Sequence, residues 1–245
     1  MRYYLDTEFI EDGYTIDLIS IGIVSEDSRE YYAESCDFNP YNANDCVQQN
    51  VFPHLSICPY TAKPMTALQV AVGDHSRIGK CTPEFHLGQL GNYIAEQIQA
   101  GKYQDCPWRT REQIKDEILA FMDVEKHGTP EIWTYYGSYD HVALAQLFGE
   151  MIKLPQGWPM LSYDIEQFRF HVCSPKLPEQ GKDEHNALAD AKWNKLAYDF
   201  LATRAQELND HVARVLSNNK PAENFTQGVS EQIFNQEMYG EWRNR

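Results

Sequence analysis

The chain is short of positive charge and has no long apolar run. Its 245 residues carry 21 Lys and Arg against 36 Asp and Glu, which gives a formal net charge of −15. Because Lys and Arg make most protein contacts to phosphate, this balance excludes a protein that coats long stretches of nucleic acid by charge alone. A polynucleotide substrate would be held over a short footprint, with metal ions supplying much of the positive charge. No apolar segment approaches the roughly 20 residues that cross a bilayer, so we expect no membrane span.

The six cysteines form no recognisable metal or redox motif. No Cys-x-x-Cys pair is present, and a strand-like pattern begins directly after Arg2, without the apolar core of a secretory signal. We therefore expect reduced thiols and a cytoplasmic location. A zinc set can be assembled from Cys58, Cys81, His86 and Cys106, but its spacings match no common zinc pattern and ordinary thiols are favoured.

Apolar residues make up 42% of the chain, enough for one sizeable core. β-branched and aromatic runs separated by turn signals predict three antiparallel strands at residues 2–9, 15–24 and 29–35. An irregular stretch follows, rich in Pro, Gly, Asn and Cys. Loops of this length are uncommon inside compact domains, so residues 58–106 are interpreted as an inserted lobe or lid.

The second half of the chain alternates helical and strand patterns. A helix capped by Thr110 is predicted from its spacing of Ile114, Ile118 and Phe121. A strand at residues 131–136 and a helix with Leu144, Leu147, Phe148 and Met151 on one stripe follow. A last helix, from residue 186 to about 204, is expected to bury Ala189, Trp193, Leu196 and Phe200. The order predicts an α/β fold, a mixed sheet of about five strands flanked by helices, with a large insertion between strand three and the first helix. We assign residues 1–205 to this domain and 206–245 to a polar C-terminal arm.

The first strand ends in two carboxylates, Asp6 and Glu8, on either side of Thr7. Residues i and i+2 of a strand point to the same face, so the two acids lie side by side. Adjacent carboxylates repel each other unless a cation lies between them, and carboxylate oxygens suit Mg²⁺ or Mn²⁺. A solvated acidic pair is the alternative interpretation.

Two more acidic positions fall at junctions between elements. Asp140 follows the strand at 131–136, where ligands gather in open α/β sheets, although it could equally cap the next helix. His185 and Asp190 would lie roughly 140° apart if both were helical. If Asn186 is the N-cap, however, His185 lies on the preceding loop and can fold back over the space that Asp190 faces. A surface histidine beside a solvated Asp190 is the alternative.

A second D-x-E sequence, at Asp164 and Glu166, has no partners at matching positions downstream. It follows Ser162 and suits the beginning of a helix, so we interpret it as a helix terminus.

Together, D-x-E on the first strand, Asp140 after a later strand and H-x-x-x-x-D at the last helix resemble the DEDDh exonuclease superfamily, whose fold is ribonuclease H-like. The segments YLDTEFIEDG (4–13), YGSYDHVAL (136–144) and HNALADA (185–191) are similar to the compact bacterial 3′–5′ exoribonuclease group known from mycobacteria. The resemblance covers about residues 1–57 and 108–205. It does not reach the insertion or the tail.

The resemblance implies a two-metal-ion 3′–5′ exoribonuclease that shortens single-stranded RNA from its 3′ end. Two Mg²⁺ or Mn²⁺ ions would be held by Asp6, Glu8, Asp140 and Asp190, with Asp6 between them, and His185 would be the general base. Expected substrate contacts are Phe9, Thr7 and Tyr136, with Tyr139 a further candidate. Phe9 could instead be ordinary core.

Three questions stay open at this stage. A DNA exonuclease would use the same residues, because fold and motif do not choose between substrates. A binding module without activity would retain the same fold. The sequence also leaves the oligomeric state open, a homodimer included.

Overall fold

The computed structural model describes residues 1–56 and 107–218. The chain divides into two compact units, residues 1–201 and residues 202–245. The whole predicted insertion, with the four residues of the conceivable zinc set, and the tail from residue 219 lie outside the described residues. Within the described ranges, every helix is too short or too polar to cross a membrane.

A six-stranded mixed sheet forms the centre of the first unit, in the order β4-β3-β2-β1-β5-β6. Its strands are β1 Arg2–Glu11, β2 Ile16–Ser25, β3 Glu30–Ser35, β4 Trp108–Arg109, β5 Glu131–Thr134 and β6 Tyr163–Asp164. The first three are antiparallel neighbours, whereas β5 lies parallel to β1, β4 to β3 and β6 to β5. The predicted mixed α/β sheet is confirmed. The sheet has six strands where about five were expected. Two of them, β4 and β6, are only two residues long, too short to be recognised from a sequence pattern.

Six α-helices are described: α1 Asp45–Asn50, α2 Arg111–Met122, α3 Val124–His127, α4 Ser138–Gln146, α5 Ile165–His171 and α6 Ala187–Asn218. Short 3₁₀ turns occur at Pro40–Asn42, Phe52–His54 and Met151–Lys153. The residues between 56 and 107 therefore follow α1 and precede β4. The insertion lies after β3 and before α2, the first helix that the sequence predicted. The six-residue helix α1, too short to show a 3.6-residue pattern, precedes it and was not predicted.

Helix α2 begins as its sequence predicts. Thr110 Oγ1 accepts a hydrogen bond from the Gln113 amide at 3.2 Å, and Gln113 Oε1 accepts one from the Thr110 amide at 2.9 Å. This reciprocal capping box satisfies two amides that a helix start would leave unpaired. Ile114 and Ile118 are buried against one face of the sheet, in a core that includes Leu5 of β1.

The long helix α6 differs from its prediction in length and in its buried face. It ends at Asn218, well beyond the expected end near residue 204. Small residues face the sheet, namely Ala187, Ala191 and Ala197, with Leu201. The predicted Leu196 and Phe200 are instead 52% and 37% exposed. The periodicity of large side chains misled the prediction.

The reason is the close approach of α6 to the sheet. A Cβ at Gly22 of β2 would overlap the backbone of Ala187, at the first turn of α6. Gly22 is paired with Asp6 of β1. The absence of a side chain at Gly22 therefore lets the beginning of α6 lie directly beside the strand position of Asp6, which brings the last predicted motif to the first.

The C-terminal unit is described only as far as Asn218. Its described part is the last stretch of α6, whose residues are mostly exposed and carry an ion pair between Arg204 and Glu207 at 2.9 Å.

Candidate active site

Strand β1 presents different chemistry on its two faces. Tyr4, Asp6 and Glu8 alternate with Leu5 and Thr7, as the pleat of a strand requires. The Tyr4 ring lies 5.3 Å from that of Tyr198 on α6, which identifies the face that α6 covers. Asp6 and Glu8 project from this same face and remain partly exposed. The expectation that the two carboxylates lie side by side is met.

The other edge of β1 loses its strand partner just before the acids. Pairing with β5 reaches only as far as Tyr4 and Trp133. Beyond that point, side chains from two helices satisfy the strand backbone. Asn194 Nδ2 of α6 donates to the Leu5 carbonyl at 3.0 Å, and Asp140 Oδ1 of α4 accepts from the Thr7 amide at 2.8 Å. Both helices are therefore fixed to β1 where its carboxylates begin.

This docking brings three carboxylates together. One oxygen from each of Asp6, Glu8 and Asp190 lies within 4.8 Å of the other two; we call these three residues the carboxylate cluster. Asp190 belongs to it because it lies one helical turn before Asn194, which holds α6 against β1. Residues 184 positions apart along the chain thus meet at one point.

Asp140 lies beside the cluster and is almost fully buried. Its Oδ1 accepts two hydrogen bonds from Thr7, from the amide at 2.8 Å and from the hydroxyl at 2.6 Å. Thr7 itself is 5% exposed, and both of its donors are taken. Thr7 therefore holds Asp140 in place, and its side chain is not presented to a substrate as the sequence interpretation expected.

Burial and the proximity of the other acids raise the pKa values of the carboxyl groups at this site. Burial, followed by the charges of Asp140, Glu8 and Asp190, raises the pKa of Asp6 well above its ordinary range. Burial raises the pKa of Glu8 to about 8, with the charges of Asp190 and Asp140 adding to it. Burial likewise raises the pKa of Asp140 to about 6, against the hydrogen bonds from Thr7. Without a cation, burial and mutual repulsion therefore favour the protonated forms of these acids.

Asp190 is held by the loop that precedes it. Its Oδ2 accepts from the His185 amide at 2.8 Å, and its Oδ1 accepts from Gln180 Nε2 at 2.7 Å. Burial raises its pKa, and these two hydrogen bonds together with the His185 charge partly offset that effect. Asn186 Oδ1 accepts from the Ala189 amide at 3.0 Å, as an N-cap does. His185 thus lies on the loop, half-buried with φ 71°, as the interpretation required.

The second D-x-E sequence serves the fold. Asp164 Oδ1 accepts from the Glu166 and Gln167 amides at 2.7 and 3.2 Å and caps α5, which confirms the predicted helix terminus. Its other oxygen accepts from the Gly137 amide at 3.2 Å. A Cβ at Gly137 would overlap Thr134, so this turn needs a glycine. Asp164 and Gly137 together fix the beginning of α4 and, through it, Asp140.

Aromatic rings lie next to the cluster. Phe9 follows a register shift in β1 directly after Glu8, and its ring centroid lies 5.6 Å from that of Tyr139. Tyr139, immediately before Asp140, is 51% exposed, and Tyr136 is 65% exposed. Phe9 is itself partly exposed.

Sequence reasoning missed three residues that position the site. Gly22 carried a weak signal, a lone glycine in a β-branched strand, which often marks a close backbone approach. Asn194 could have been noticed four residues after Asp190, on the same helix face. Gln180 carried no signal, because its contact with Asp190 depends on the path of an irregular loop.

The donor set suits a divalent metal ion. Carboxylate oxygens are the ligands that Mg²⁺ and Mn²⁺ prefer. The three cluster oxygens are close enough to share one ion, and positive charge between them would offset the repulsion that, with burial, raises the pKa of Asp6 and Glu8. The residues present therefore fit a metal centre.

Comparison with known proteins agrees with this geometry. The model of the family described as the Rv2179c-like 3′–5′ exoribonuclease domain matches residues 1–201. Two relatives from Mycobacterium tuberculosis, 3′–5′ exoribonuclease Rv2179c of strain H37Rv and 3′–5′ exoribonuclease MT2234.1 of strain CDC 1551, are each 35% identical over 214 residues. The aligned part covers 87% of this chain and 100% of each relative. The resemblance drawn from three short motifs is confirmed, and the chain belongs to the Rv2179c-like 3′–5′ exoribonuclease domain family.

Proposed function

We propose that this protein is a two-metal-ion exoribonuclease that removes nucleoside monophosphates one at a time from the 3′ end of single-stranded RNA. Its family gives the reaction class, a 3′–5′ exoribonuclease and therefore a hydrolase. The number of ions, the single-stranded substrate and the product are what the proposal adds. The observation that carries it is the meeting of Asp6, Glu8 and Asp190 within 4.8 Å, with Asp140 beside them.

The four acids would hold two Mg²⁺ or Mn²⁺ ions. Asp6 is the carboxylate on which the charges of Glu8, Asp140 and Asp190 all act, which suits a ligand placed between two ions. Glu8 and Asp190 would complete one site, and Asp140, held by Thr7, would serve the other. When bound, such ions lower the pKa of an attacking water and neutralise charge on the phosphoryl oxygens.

His185 would take the proton from the attacking water. Histidine exchanges a proton near neutral pH, which is what a general base for this reaction needs. Its backbone amide is hydrogen-bonded to Asp190, so the residue is tied to the cluster it would serve. His185 is only half-buried, which leaves it a path to solvent through which the proton can leave.

The rings of Phe9 and Tyr139 would receive the terminal base, with Tyr136 as a further contact. Stacking on an aromatic side chain is worth about 1–3 kcal/mol per base and tolerates any sequence. An aromatic contact also suits a chain with a net charge of −15, because such a chain has few Lys and Arg side chains with which to bind a long run of phosphates. The footprint on RNA would then be short.

Digestion of a single-stranded RNA that is labelled at its 5′ end tests the proposal. We expect a ladder that shortens from the 3′ end with Mg²⁺ or Mn²⁺, release of nucleoside monophosphates, and no cleavage in EDTA. His185→Ala should abolish most activity in the folded protein, whereas His211→Ala, at an exposed position of α6, should not. A DNA oligomer of the same sequence is the second arm. Equal or faster trimming of DNA would contradict the substrate, and undiminished cleavage by Asp6→Asn would contradict the site.

A further inference from the structure

The loop between α5 and α6, residues 172–186, is fastened at several points. Arg169 Nη1 of α5 donates to the Ser174 and Pro175 carbonyls at 3.4 Å each, and Trp193 Nε1 of α6 donates to the Pro178 carbonyl at 3.1 Å. The first half of the loop is thereby held to the two helices that it connects.

The second half has one backbone hydrogen bond of its own, from the Asn186 amide to the Asp183 carbonyl at 3.1 Å, and a single carboxylate joins it to α6. Gln180 Nε2 donates to Asp190 Oδ1 at 2.7 Å and the His185 amide donates to Asp190 Oδ2 at 2.8 Å. Residues 181–184, between these two bonds, are exposed. The hexapeptide 180–185 is therefore closed into a ring by the side chain of Asp190; we call these two hydrogen bonds the Asp190 clamp.

His185 lies at the tight end of this ring. Its φ of 71° is in the left-handed region, which is unfavourable for a residue with a Cβ and persists only where the surroundings hold it. The hydrogen bond to Asp190 Oδ2, the N-cap at Asn186 and the turn closed by the Asn186 amide on the Asp183 carbonyl provide that support. A loosened clamp would release His185 from this conformation.

We infer that Gln180 is a positioning residue of the reaction: through the Asp190 clamp it orients a metal-ligating carboxylate and at the same time fixes the loop that carries the general base. A carboxylate oxygen has two lone pairs, so Asp190 Oδ1 can accept from Gln180 and still face the cluster. Hydrogen bonds of this kind orient the ligands of metal sites, and their loss typically lowers metal affinity about 10–100-fold. The inference rests on the proposed function for the role of His185.

The clamp also couples the two parts of the site. Any cation that binds the cluster restrains Asp190, and a restrained Asp190 restrains both ends of the hexapeptide. We therefore expect the 181–185 amides to exchange more slowly with solvent when Mn²⁺ is added. Conversely, loss of the Gln180 hydrogen bond should weaken Mn²⁺ binding. If Mn²⁺ binding stabilises the clamp, thermodynamic linkage requires that the intact clamp stabilise bound Mn²⁺ by the same free energy.

Hydrogen–deuterium exchange and Mn²⁺ titration of the full-length protein test this inference. Gln180→Met keeps the length of the side chain and removes the donor. We expect 181–185 to exchange about 10-fold faster in the metal-free variant, the Mn²⁺ Kd to rise about 10-fold, and kcat to fall by a similar factor with KM for RNA within twofold. Gln180→Ala should give the same results and serves as the second variant if methionine disturbs the packing of the loop. Lys182→Ala, at an exposed position in the same loop, is the matched control and should match the wild type.

Two outcomes would overturn the inference. One is exchange and Mn²⁺ affinity in both Gln180 variants equal to the wild type. The other is a lower kcat without faster exchange of 181–185, which would place Gln180 in another role. Failure of the proposed function would look different, because His185→Ala would then retain activity while the metal-free exchange experiment would still decide whether the clamp exists.

Discussion

Glu8 and Glu34 lie on the same face of the sheet, each opposite Ser20 of the strand between them. Burial raises the pKa of both carboxyls, to about 8 for Glu8 and about 7 for Glu34. Only Glu8, however, has other acids beside it. Two glutamates with similarly perturbed pKa values therefore occupy sites of different kinds.

The neighbours of Glu34 are hydrogen-bond donors. Its Oε1 accepts from the Tyr32 hydroxyl at 2.8 Å and from the Ser56 amide at 2.7 Å, and Glu34 is fully buried. Its Oε2 has no hydrogen-bond partner among the described residues. A single acid in such a place is neutralised most simply by a proton. In the carboxylate cluster three acids converge, and there a divalent cation is the better solution. Burial alone thus does not identify a metal site; convergence does.

The largest expected difference between the carboxylate cluster and the site of Glu34 is in their effect on catalysis. Asp190→Asn should reduce exonuclease activity more than about 100-fold, since loss of even an outer hydrogen-bond partner of a metal ligand commonly costs 10–100-fold. Glu34→Gln, an equally conservative change on the same sheet face, should stay within about threefold of the wild type. Rates on a labelled RNA at saturating Mg²⁺ measure both. Comparable losses in the two variants would remove the distinction.

The pH dependence of stability should single out Glu34. Its proton is kept up to about pH 7 in the folded protein, against an ordinary value of 4.5. Between these values the folded state binds more protons than the unfolded state, so the contribution of Glu34 to stability falls as the pH rises from about 4.5 to 7. The difference between wild type and Glu34→Gln in free energy of unfolding should change by on the order of 3 kcal/mol over that window.

Urea denaturation at several pH values with a fixed excess of Mg²⁺ measures this difference. The cluster is the same in the two proteins, so its own titration cancels in the difference between them. A difference that is flat between pH 4.5 and 7 would show that Glu34 is not protonated in the folded protein.

The hydroxyl groups that hold Asp140 and Glu34 should differ in their effect on metal binding. Thr7→Val removes the hydroxyl that holds Asp140 and should weaken Mn²⁺ binding about 10-fold. Tyr32→Phe removes the hydroxyl that holds Glu34 and should raise the pKa of Glu34 further without changing Mn²⁺ affinity by more than about twofold. Calorimetric titration of both variants tests the pair. An equal loss of Mn²⁺ affinity in Tyr32→Phe would mean that Glu34 belongs to the metal site.

The smallest effect is expected at another acid on this face, Glu30. Glu30, opposite Val24 on β2, forms an ion pair with Lys192 of α6 at 2.9 Å, and both side chains are 47% exposed. Exposed ion pairs contribute about 0–1 kcal/mol. Lys192→Ala should therefore change the midpoint of thermal unfolding by no more than a few degrees and leave activity unaltered. A larger loss would show that the pair helps to dock α6.

The sequence predicted the parts of the fold and site that depend on local pattern. Strand alternation placed Asp6 and Glu8 on one face, and the capping residues Thr110 and Asn186 were recognised correctly. The interpretation failed where contacts between distant segments decide the outcome. Helix α6 buries alanines because Gly22 admits it closely, and Thr7 faces Asp140 because β5 leaves that edge of β1 open.

Counting bound Mn²⁺ on the full-length protein tests the central claim most directly. Titration of the metal-stripped wild type, followed by electron paramagnetic resonance of free Mn²⁺ or by calorimetry, should give two ions per chain. Asp6→Asn and Asp190→Asn should each lose binding, and Glu34→Gln should keep both ions. A wild type that binds no Mn²⁺, or cluster variants that bind it as well as the wild type does, would contradict the account.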